Sequence, residues 1–89
     1  MIIGKVVGSL WATRKDEKLN GLKLLIVCPL YGEKQEEEYF AAADNAGAGT
    51  GDIVLITQGS AARTSVGDNS IPVDAVIVGV IDSIEVDNG

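Results

Sequence analysis

Two segments of small residues flank one short apolar strand near the middle of this 89-residue chain. The first segment is a loop over residues 44–51, with glycine at every second position from Gly47 to Gly51. The second is Gly59-Ser60-Ala61-Ala62-Arg63, and the predicted strand between them covers residues 52–57. Glycine has no Cβ, so it lets the backbone approach another group closely. The candidates for that group are a nucleotide phosphate, a substrate and another protein chain.

The first loop does not have the surroundings of a phosphate site. A glycine-rich loop holds a phosphate when it leads into a helix, because the helix N-terminus receives the anion. Here a strand follows Gly51 at once, and no Gly-Lys-Ser or Gly-Lys-Thr is present. The sequence therefore favours a tight turn pressed against a neighbouring chain.

Five segments have the apolar and β-branched content that is typical of strands. They cover residues 2–13, 22–31, 38–43, 52–57 and 73–86. Between the last two, the sequence predicts a single helical turn within residues 59–64, with Ser60 as its N-cap. This pattern predicts one all-β domain over residues 1–89, folded as a small, closed or nearly closed five-stranded barrel.

Apolar residues occupy both alternating faces of the first, second and fifth predicted strands. In the second strand, the expected core face consists of Leu22, Leu24, Ile26, Cys28 and Leu30. Pro29 cannot donate a ladder hydrogen bond, which predicts an edge or a bulge at that end. A small barrel rarely leaves an apolar outer face in water, so we expect an obligate oligomer with strand one, two or five at the interface.

The charge of the chain excludes several classes of partner. The formal net charge is −6, and Lys and Arg are not clustered. Phosphate backbones and anionic lipids would be repelled, so neither nucleic acid nor a membrane is an expected partner. The N-terminus does not read as a signal peptide, and no apolar run approaches the ~20 residues of a membrane span. With one cysteine no internal disulfide can form, and the cytosol is the expected compartment.

The residue types needed for catalysis are missing. The chain has no histidine, so Ser60 has no base, and it also lacks the Gly-x-Ser-x-Gly elbow. Capping or packing is the expected role of Ser60. Cys28 lies among aliphatic residues and is expected to be a small buried hydrophobe. For metal ligation, His and a second Cys are lacking. The acidic run Glu36-Glu37-Glu38 could weakly attract Ca²⁺, but it is expected to be solvated. The sequence thus predicts no catalytic group, no metal and no cofactor.

Three single residues stand out without belonging to a chemical motif. Arg63 is either solvated or paired, within or between chains, with a carboxylate such as that of Asp44, Asp74 or Asp82. Asp82 lies among apolar residues and is expected to be the buried acid of the chain. Trp11 is typical of either a core residue or an interface anchor.

Several unrelated motifs occur in one order along the whole chain. They begin with Gly8, Ala12-Thr13 and the Lys15 region, and continue with Leu19-x-Gly21-x-Lys23-Leu24-Leu25-x-Val27. They end with Ala42-x-Asp44-x-Ala46-Gly47-Ala48-Gly49-Thr50-Gly51-Asp52-x-Val54-Leu55, Gly59-Ser60-Ala61-Ala62-Arg63 and Pro72-Val73-Asp74-Ala75-x-Ile77-x-Gly79-Val80-Ile81-Asp82. In this combination the chain resembles the vertex proteins of bacterial microcompartments, the pentameric shell proteins of carboxysomes and of ethanolamine, propanediol and glycyl-radical compartments. Two departures are minor: Ala46 stands where a bulkier aliphatic residue is usual, and Asp52 where Glu is common.

The resemblance implies a five-stranded, OB-like barrel that assembles as a cyclic homopentamer shaped like a truncated pyramid. Such a pentamer would close the vertices of an icosahedral shell in the bacterial cytoplasm, otherwise tiled by hexameric shell proteins. It would be structural, with no enzymatic activity and no cofactor. The small segments would lie near the five-fold axis or the subunit boundary. The expected assembly residues are Gly47, Ala48, Gly49, Gly59, Ser60, Ala61, Ala62, Arg63 and Asp82.

An OB-type module that binds nucleic acid or a small molecule is the alternative interpretation. That class uses exposed aromatic residues and basic residues on a face of the barrel. Four aromatic residues and a net charge of −6 argue against it. The sequence leaves open whether the compartment is catabolic or a carboxysome, and whether metabolites pass along the five-fold axis.

Overall fold

The computed structural model describes residues 1–11, 17–19, 21–30, 39–67 and 73–83. The five strands are β1 (Ile2–Ser9), β2 (Lys23–Pro29), β3 (Phe40–Asp44), β4 (Ile53–Gln58) and β5 (Ala75–Val80). One α-helix, α1 (Gly59–Ser65), links β4 to β5, and a short 3₁₀ turn (Glu17–Leu19) precedes β2.

The strands close into a barrel in the order β1-β2-β3-β5-β4, with β4 pairing back to β1. All neighbours are antiparallel except β3 and β5, which are parallel. Because β3 and β5 are parallel neighbours, the chain must cross from one to the other, and it does so through β4 and α1. The predicted all-β, five-stranded, OB-like barrel is confirmed.

Two β-bulges bend the strands so that the sheet can close. One lies in β1 between Val6 and Gly8, and the other lies in β5 between Ile77 and Gly79, opposite Leu55 and Ile56 of β4. A bulge adds one unpaired residue and increases the local twist, which a five-stranded barrel needs. Pro29 is the last residue of β2 and pairs with Gly4, in agreement with its expected place at a strand end.

The barrel interior is filled by aliphatic side chains from every strand. Its fully buried members are Val6, Leu25, Val27, Ala42, Ala48, Val54, Ile56, Ala75 and Ile77. Gly4 lies in the wall of this interior, where an added Cβ would come within 2.5 Å of Val27 Cγ1. Because packed interiors leave few voids, a glycine is the residue that allows β1 and β2 to approach at this point.

The expected core face of β2 was wrong. Leu25 and Val27 point into the barrel. The opposite set is only half-buried and includes Leu22, Leu24, Ile26 and Leu30. Both faces of this strand are apolar, so alternation alone could not distinguish inside from outside. Cys28 belongs to the outer set and is half-buried rather than fully buried as expected.

A second apolar cluster lies on the outside of the barrel, beneath α1. Ala43, Ala62, Val73 and Val76 are its buried members, and Leu19, Leu22, Leu24, Val66 and Val78 pack against it. Small side chains on the strand and on the helix let α1 lie close to the sheet. On the outer face of β2, Leu24 packs against this cluster, whereas Ile26 and Cys28 do not belong to it.

The predicted boundaries of β2, β3 and β4 differ from the structure by one or two residues at each end, and those of β1, β5 and the helix differ in ways that affect the interpretation. β1 ends at Ser9 rather than residue 13, and β5 covers six residues rather than residues 73–86. Of these predicted extensions, residues 12, 13 and 84–86 lie outside the described part of the chain. The helical turn is a seven-residue helix whose N-cap is Gln58, so the prediction of Ser60 as N-cap was wrong. The helix begins directly where β4 ends, which places Ser60 inside its first turn.

Candidate assembly surface

The first small-residue loop is folded by the side chain of Asp44, at the end of β3. Asp44 Oδ1 accepts a hydrogen bond from the N–H of Ala46 at 3.0 Å, and Oδ2 accepts one from the N–H of Ala48 at 2.9 Å. On the paired strand, Lys23 Nζ donates to the carbonyl oxygen of Ala48 at 2.8 Å. An aspartate that binds backbone N–H groups a few residues later is a common way to close a turn.

The second half of this loop is bound to β1. The Gly51 N–H donates to the Val6 carbonyl at 2.8 Å, and the Val6 N–H donates to the Asp52 carbonyl at 2.9 Å. Asp52 also closes its own turn, because its Oδ2 accepts from the Gly49 N–H at 2.9 Å. Gly47 and Gly51 have φ of 76° and 95°, a region that glycine adopts at low cost. These two glycines are therefore explained by the turn itself.

Gly49 is different, because nothing within its own chain requires a glycine there. Its φ is not in the left-handed region, and an added Cβ would have as its nearest neighbour Asp52 Oδ2, at 4.0 Å. The side chain of another residue would fit the isolated chain. The described residues of the chain therefore do not explain why this position is a glycine.

A hydrogen bond links the first small-residue loop to the helix that contains the second small-residue segment. Asn45 Nδ2 donates to the carbonyl oxygen of Ser65, in the last turn of α1, at 3.0 Å. The backbone N–H of Asn45 donates to the carbonyl of Ile77 in β5 at 3.1 Å. The loop at residues 45–52 leads into β4, and α1 follows β4, so the two segments start at opposite ends of that strand and meet at the last turn of α1. We call residues 45–52 and α1 together the small-residue surface.

The predicted assembly residues fall into two groups on this surface. Gly47, Gly59, Ser60 and Ala61 are exposed, and Gly49 and Arg63 are half-buried. Ala48 and Ala62 are 1% and 0% exposed, because they pack into the inner and outer clusters of their own chain. A side chain without exposed area cannot contact a neighbouring chain directly. These two alanines hold the surface in place from beneath.

Arg63 and Asp82 do not meet within the chain. Arg63 Nη1 donates to the Val73 carbonyl at 3.5 Å, which ties α1 to the segment before β5. No ion pair joins Arg63 to Asp44, Asp74 or Asp82 among the residues that the structure describes. The prediction that Asp82 is buried was wrong: it is exposed, because β5 ends at Val80 and Asp82 follows the backbone hydrogen bond from Ile81 to Ile53 of β4.

The sequence did not single out Val7 and Leu10, which belong to a second exposed surface. Val7, Leu10 and Trp11 are 43%, 41% and 91% exposed, so Trp11 is not a core residue. Met1, Tyr39 and Val80 are the other exposed large apolar residues of the described chain. The signal in the sequence is that residues 6–13 contain no charge. We call residues 7–11 the β1 end.

The described residues hold no chemical site. No three His, Cys, Asp or Glu among them come together as metal ligands would. A shallow groove of about 170 Å³ lies on the outer face, between Leu19 and the start of β5, with the alanines of β3 in its wall. None of the described helices is long and apolar enough to cross a membrane. The described structure is a small barrel with exposed apolar and small-residue surfaces. Such surfaces are typical of a subunit in a larger protein assembly.

Comparison with known proteins agrees with that class. Residues 1–82 match the family model described as ethanolamine utilisation protein EutN/carboxysome, and the chain belongs to this family. It is 39% identical over 89 residues to the bacterial microcompartment shell vertex protein GrpN of Rhodospirillum rubrum, covering 99% of this chain and all of that protein. It is 45% identical over 91 residues to the carboxysome shell vertex protein CcmL of a Nostoc species, covering 99% and 89% of the two chains.

Solved structures show the same fold. The structure of CcmL from Gloeobacter violaceus superposes with a TM-score of 0.86 at 40% identity, covering 99% of this chain and 92% of that one. The pentameric microcompartment shell protein GrpN from Rhodospirillum rubrum gives a TM-score of 0.83 at 39% identity, covering 97% and 99%. The chain is accordingly a structural shell vertex protein of bacterial microcompartments, and not an enzyme. The alternative of an OB-type binding module is not favoured.

Proposed function

We propose that five copies of this chain form a ring that caps a five-fold vertex of a microcompartment shell, and that the rim of the ring contacts hexameric shell proteins. The observation that supports the ring is the similarity, over nearly the whole of both chains, to a relative solved as a pentameric shell protein. A barrel whose outer wall is apolar and partly open needs such partners.

The mechanism is geometric. A flat sheet of hexagonal units does not close, and a pentagonal unit at each vertex introduces the curvature that closure needs. Each chain must then present two different surfaces to its ring neighbours, because a head-to-tail contact closes after five copies only if it is heterologous. A third surface, the rim, must fit the edge of a hexamer. A stable ring contact buries on the order of 1,000 Å² or more.

Within this ring we assign the exposed and half-buried part of the small-residue surface to the contact between chains. The assigned residues are Gly47, Gly49, Gly59, Ser60, Ala61 and Arg63. Ala48 and Ala62 support them from beneath, and the exposed Asp82 is a further candidate for a contact with a neighbour. Small side chains suit a crowded place that five identical copies approach together.

Native mass spectrometry of the purified protein tests the ring. A species with about five times the mass of the 9.3 kDa chain is expected. A mixture of monomers and dimers at micromolar concentration contradicts the proposal. The rim contact needs a separate test, in which a hexameric shell protein is assembled with and without this chain and examined by electron microscopy. Closed particles are expected only when the chain is present, and closed particles without it contradict the vertex role.

A further inference from the structure

The β1 end is the densest exposed apolar segment of the described chain. The described chain has six exposed large apolar residues, and three of them, Val7, Leu10 and Trp11, lie in the β1 end. Lys5 is the last charged residue before this segment, and no charge follows until Arg14. The central part of a protein interface is depleted of charged residues and enriched in tryptophan, so this composition is that of an interface core rather than a rim.

Within the part of the chain that the structure describes, the backbone of the β1 end is paired on one side alone. Pairing with β2 continues through Ser9 opposite Leu25, and the Leu10 N–H donates to the Leu24 carbonyl at 3.0 Å. On the other side, pairing with β4 ends at Lys5 opposite Ile53, and the last bonds there join Val6 to residues 51 and 52. Beyond Val6 no described strand covers that edge. Native proteins rarely leave an apolar strand edge open to water.

We infer that the β1 end is one half of the contact between neighbouring copies in the ring, with Trp11 as its anchor. The inference rests on the proposed pentamer and names the side chains that hold it together. The occupant is a second copy, because a relative covering 97% of this chain is a pentamer, and a ring must cover a patch on each side of every chain. The edge of a hexamer is the other possible occupant of this patch, and the experiments below distinguish it from a second copy of this chain.

The area available fits this role. A tryptophan that becomes fully buried removes on the order of 200 Å² from water. That is about a quarter of the ~800 Å² that each partner contributes to a standard interface. Leu10 and Val7, both a little over 40% exposed, add apolar area in the same five-residue segment. One side chain therefore carries a large share of the contact, which is the usual distribution of binding energy at an interface.

Trp11 is the single tryptophan of the chain, so its fluorescence reports on this position alone. The first experiment compares the intact protein as a pentamer with the same protein diluted or treated with low urea until it separates. In the pentamer we expect emission at shorter wavelength and weaker quenching by acrylamide. This measurement needs no variant and so does not depend on whether a variant folds.

The second experiment uses Trp11→Ala, with Tyr39→Ala as the matched control. Among the described residues, Tyr39 is the other strongly exposed aromatic residue, 62% exposed, and lies outside the β1 end. Because Trp11 has almost no contact within its own chain, circular dichroism of W11A should match that of the wild type. The protomer concentration at which half of the rings dissociate should rise at least tenfold for W11A. For Y39A it should be unchanged.

Two results overturn the inference while leaving the pentamer itself in place. One is a pentamer in which Trp11 is quenched as readily as in the separated chain. The other is a W11A protein that folds and dissociates at the wild-type concentration, which would assign Trp11 to the rim. A wild-type protein that forms no pentamer removes the proposed function and this inference together.

Discussion

The carboxylate of Asp44 lies 2.9 Å from the backbone N–H of Ala48, and this hydrogen bond closes the first small-residue loop over the end of the barrel. Ala48 is buried in the inner cluster, so the loop is anchored to the core of its own chain. The shape of the small-residue surface therefore does not depend on a neighbour. A ring contact built on it starts from a surface that is already in place, which lowers the ordering cost of assembly.

Replacing Asp44 should destabilise the chain. Asp44→Ala removes the acceptor of two backbone N–H groups, and one of them belongs to a buried residue. Hydrogen bonds to a charged group contribute more than neutral ones, so we expect a loss of about 2 kcal/mol in the free energy of unfolding. Asp44→Asn keeps one acceptor oxygen and should lose about half as much. Urea denaturation at a fixed protomer concentration measures both.

The matched control for this prediction is Asp74→Ala. Asp74 is exposed, so the same change of side chain should alter the free energy of unfolding by less than about 0.5 kcal/mol. If D44A and D74A had equal stabilities, the two bonds of Asp44 would contribute nothing net, and the loop would be held by other contacts.

Gly4 should tolerate no side chain. A Cβ there would lie 2.5 Å from Val27 Cγ1 and 3.1 Å from the Cys28 carbonyl oxygen, and a backbone atom cannot move aside cheaply. Gly4→Ala should cost about 1–3 kcal/mol through overpacking. Gly79→Ala is the control, because the nearest atom to its Cβ is Leu55 Cβ at 3.9 Å. Thermal melts of the two variants should differ clearly, and equal melting temperatures would show that the barrel wall at Gly4 can relax.

The number of strands, the closed barrel and the helix between the last two strands could be predicted from the sequence. The side of β2 that faces inward could not, because both sets of alternating residues are apolar. The structure assigns Leu25 and Val27 to the inside because the opposite set borders the outer cluster beneath α1. Asp82 was misplaced for a related reason. Apolar neighbours suggest burial only while the strand continues, and β5 ends before Asp82.

The position of the small-residue surface was predictable as two segments, but their contact was not. The hydrogen bond between Asn45 and Ser65 joins residues 20 positions apart, and no sequence pattern around either residue predicts it. The exposure of individual side chains could not be predicted from the sequence either. Ala61 and Ala62 are neighbours of one residue type, and helix geometry alone turns one outward and the other inward.

Gly49→Leu should prevent ring formation without unfolding the chain. The isolated chain has space for a side chain at Gly49, and its φ allows one. A leucine would therefore clash with the neighbouring copy that we place against this surface. Light scattering should report monomers or aggregates for G49L and pentamers for Gly49→Ala, whose side chain is a single methyl group. If G49L runs as an unchanged pentamer, Gly49 does not lie at the contact.

A pair of leucine substitutions in α1 should separate folding from assembly. Ala62 is 0% exposed and packs against Ala43 and Val76, so Ala62→Leu forces three extra carbon atoms between the helix and the sheet. We expect a loss of about 1–3 kcal/mol in the free energy of unfolding from this overpacking. Ala61 is exposed on the opposite side of the helix, so Ala61→Leu should change that free energy by less than about 0.5 kcal/mol.

The effects of the two substitutions on ring formation should be the reverse of their effects on the free energy of unfolding. Native mass spectrometry of A61L should show loss of pentamer, because its leucine projects from the surface that we assign to the contact. A62L should still form pentamers at temperatures where it is folded, because its extra carbon atoms point into its own chain. If A61L is both stable and pentameric, the contact between chains does not include this face of α1. In that case the β1 end, with Trp11, would be left to carry the ring.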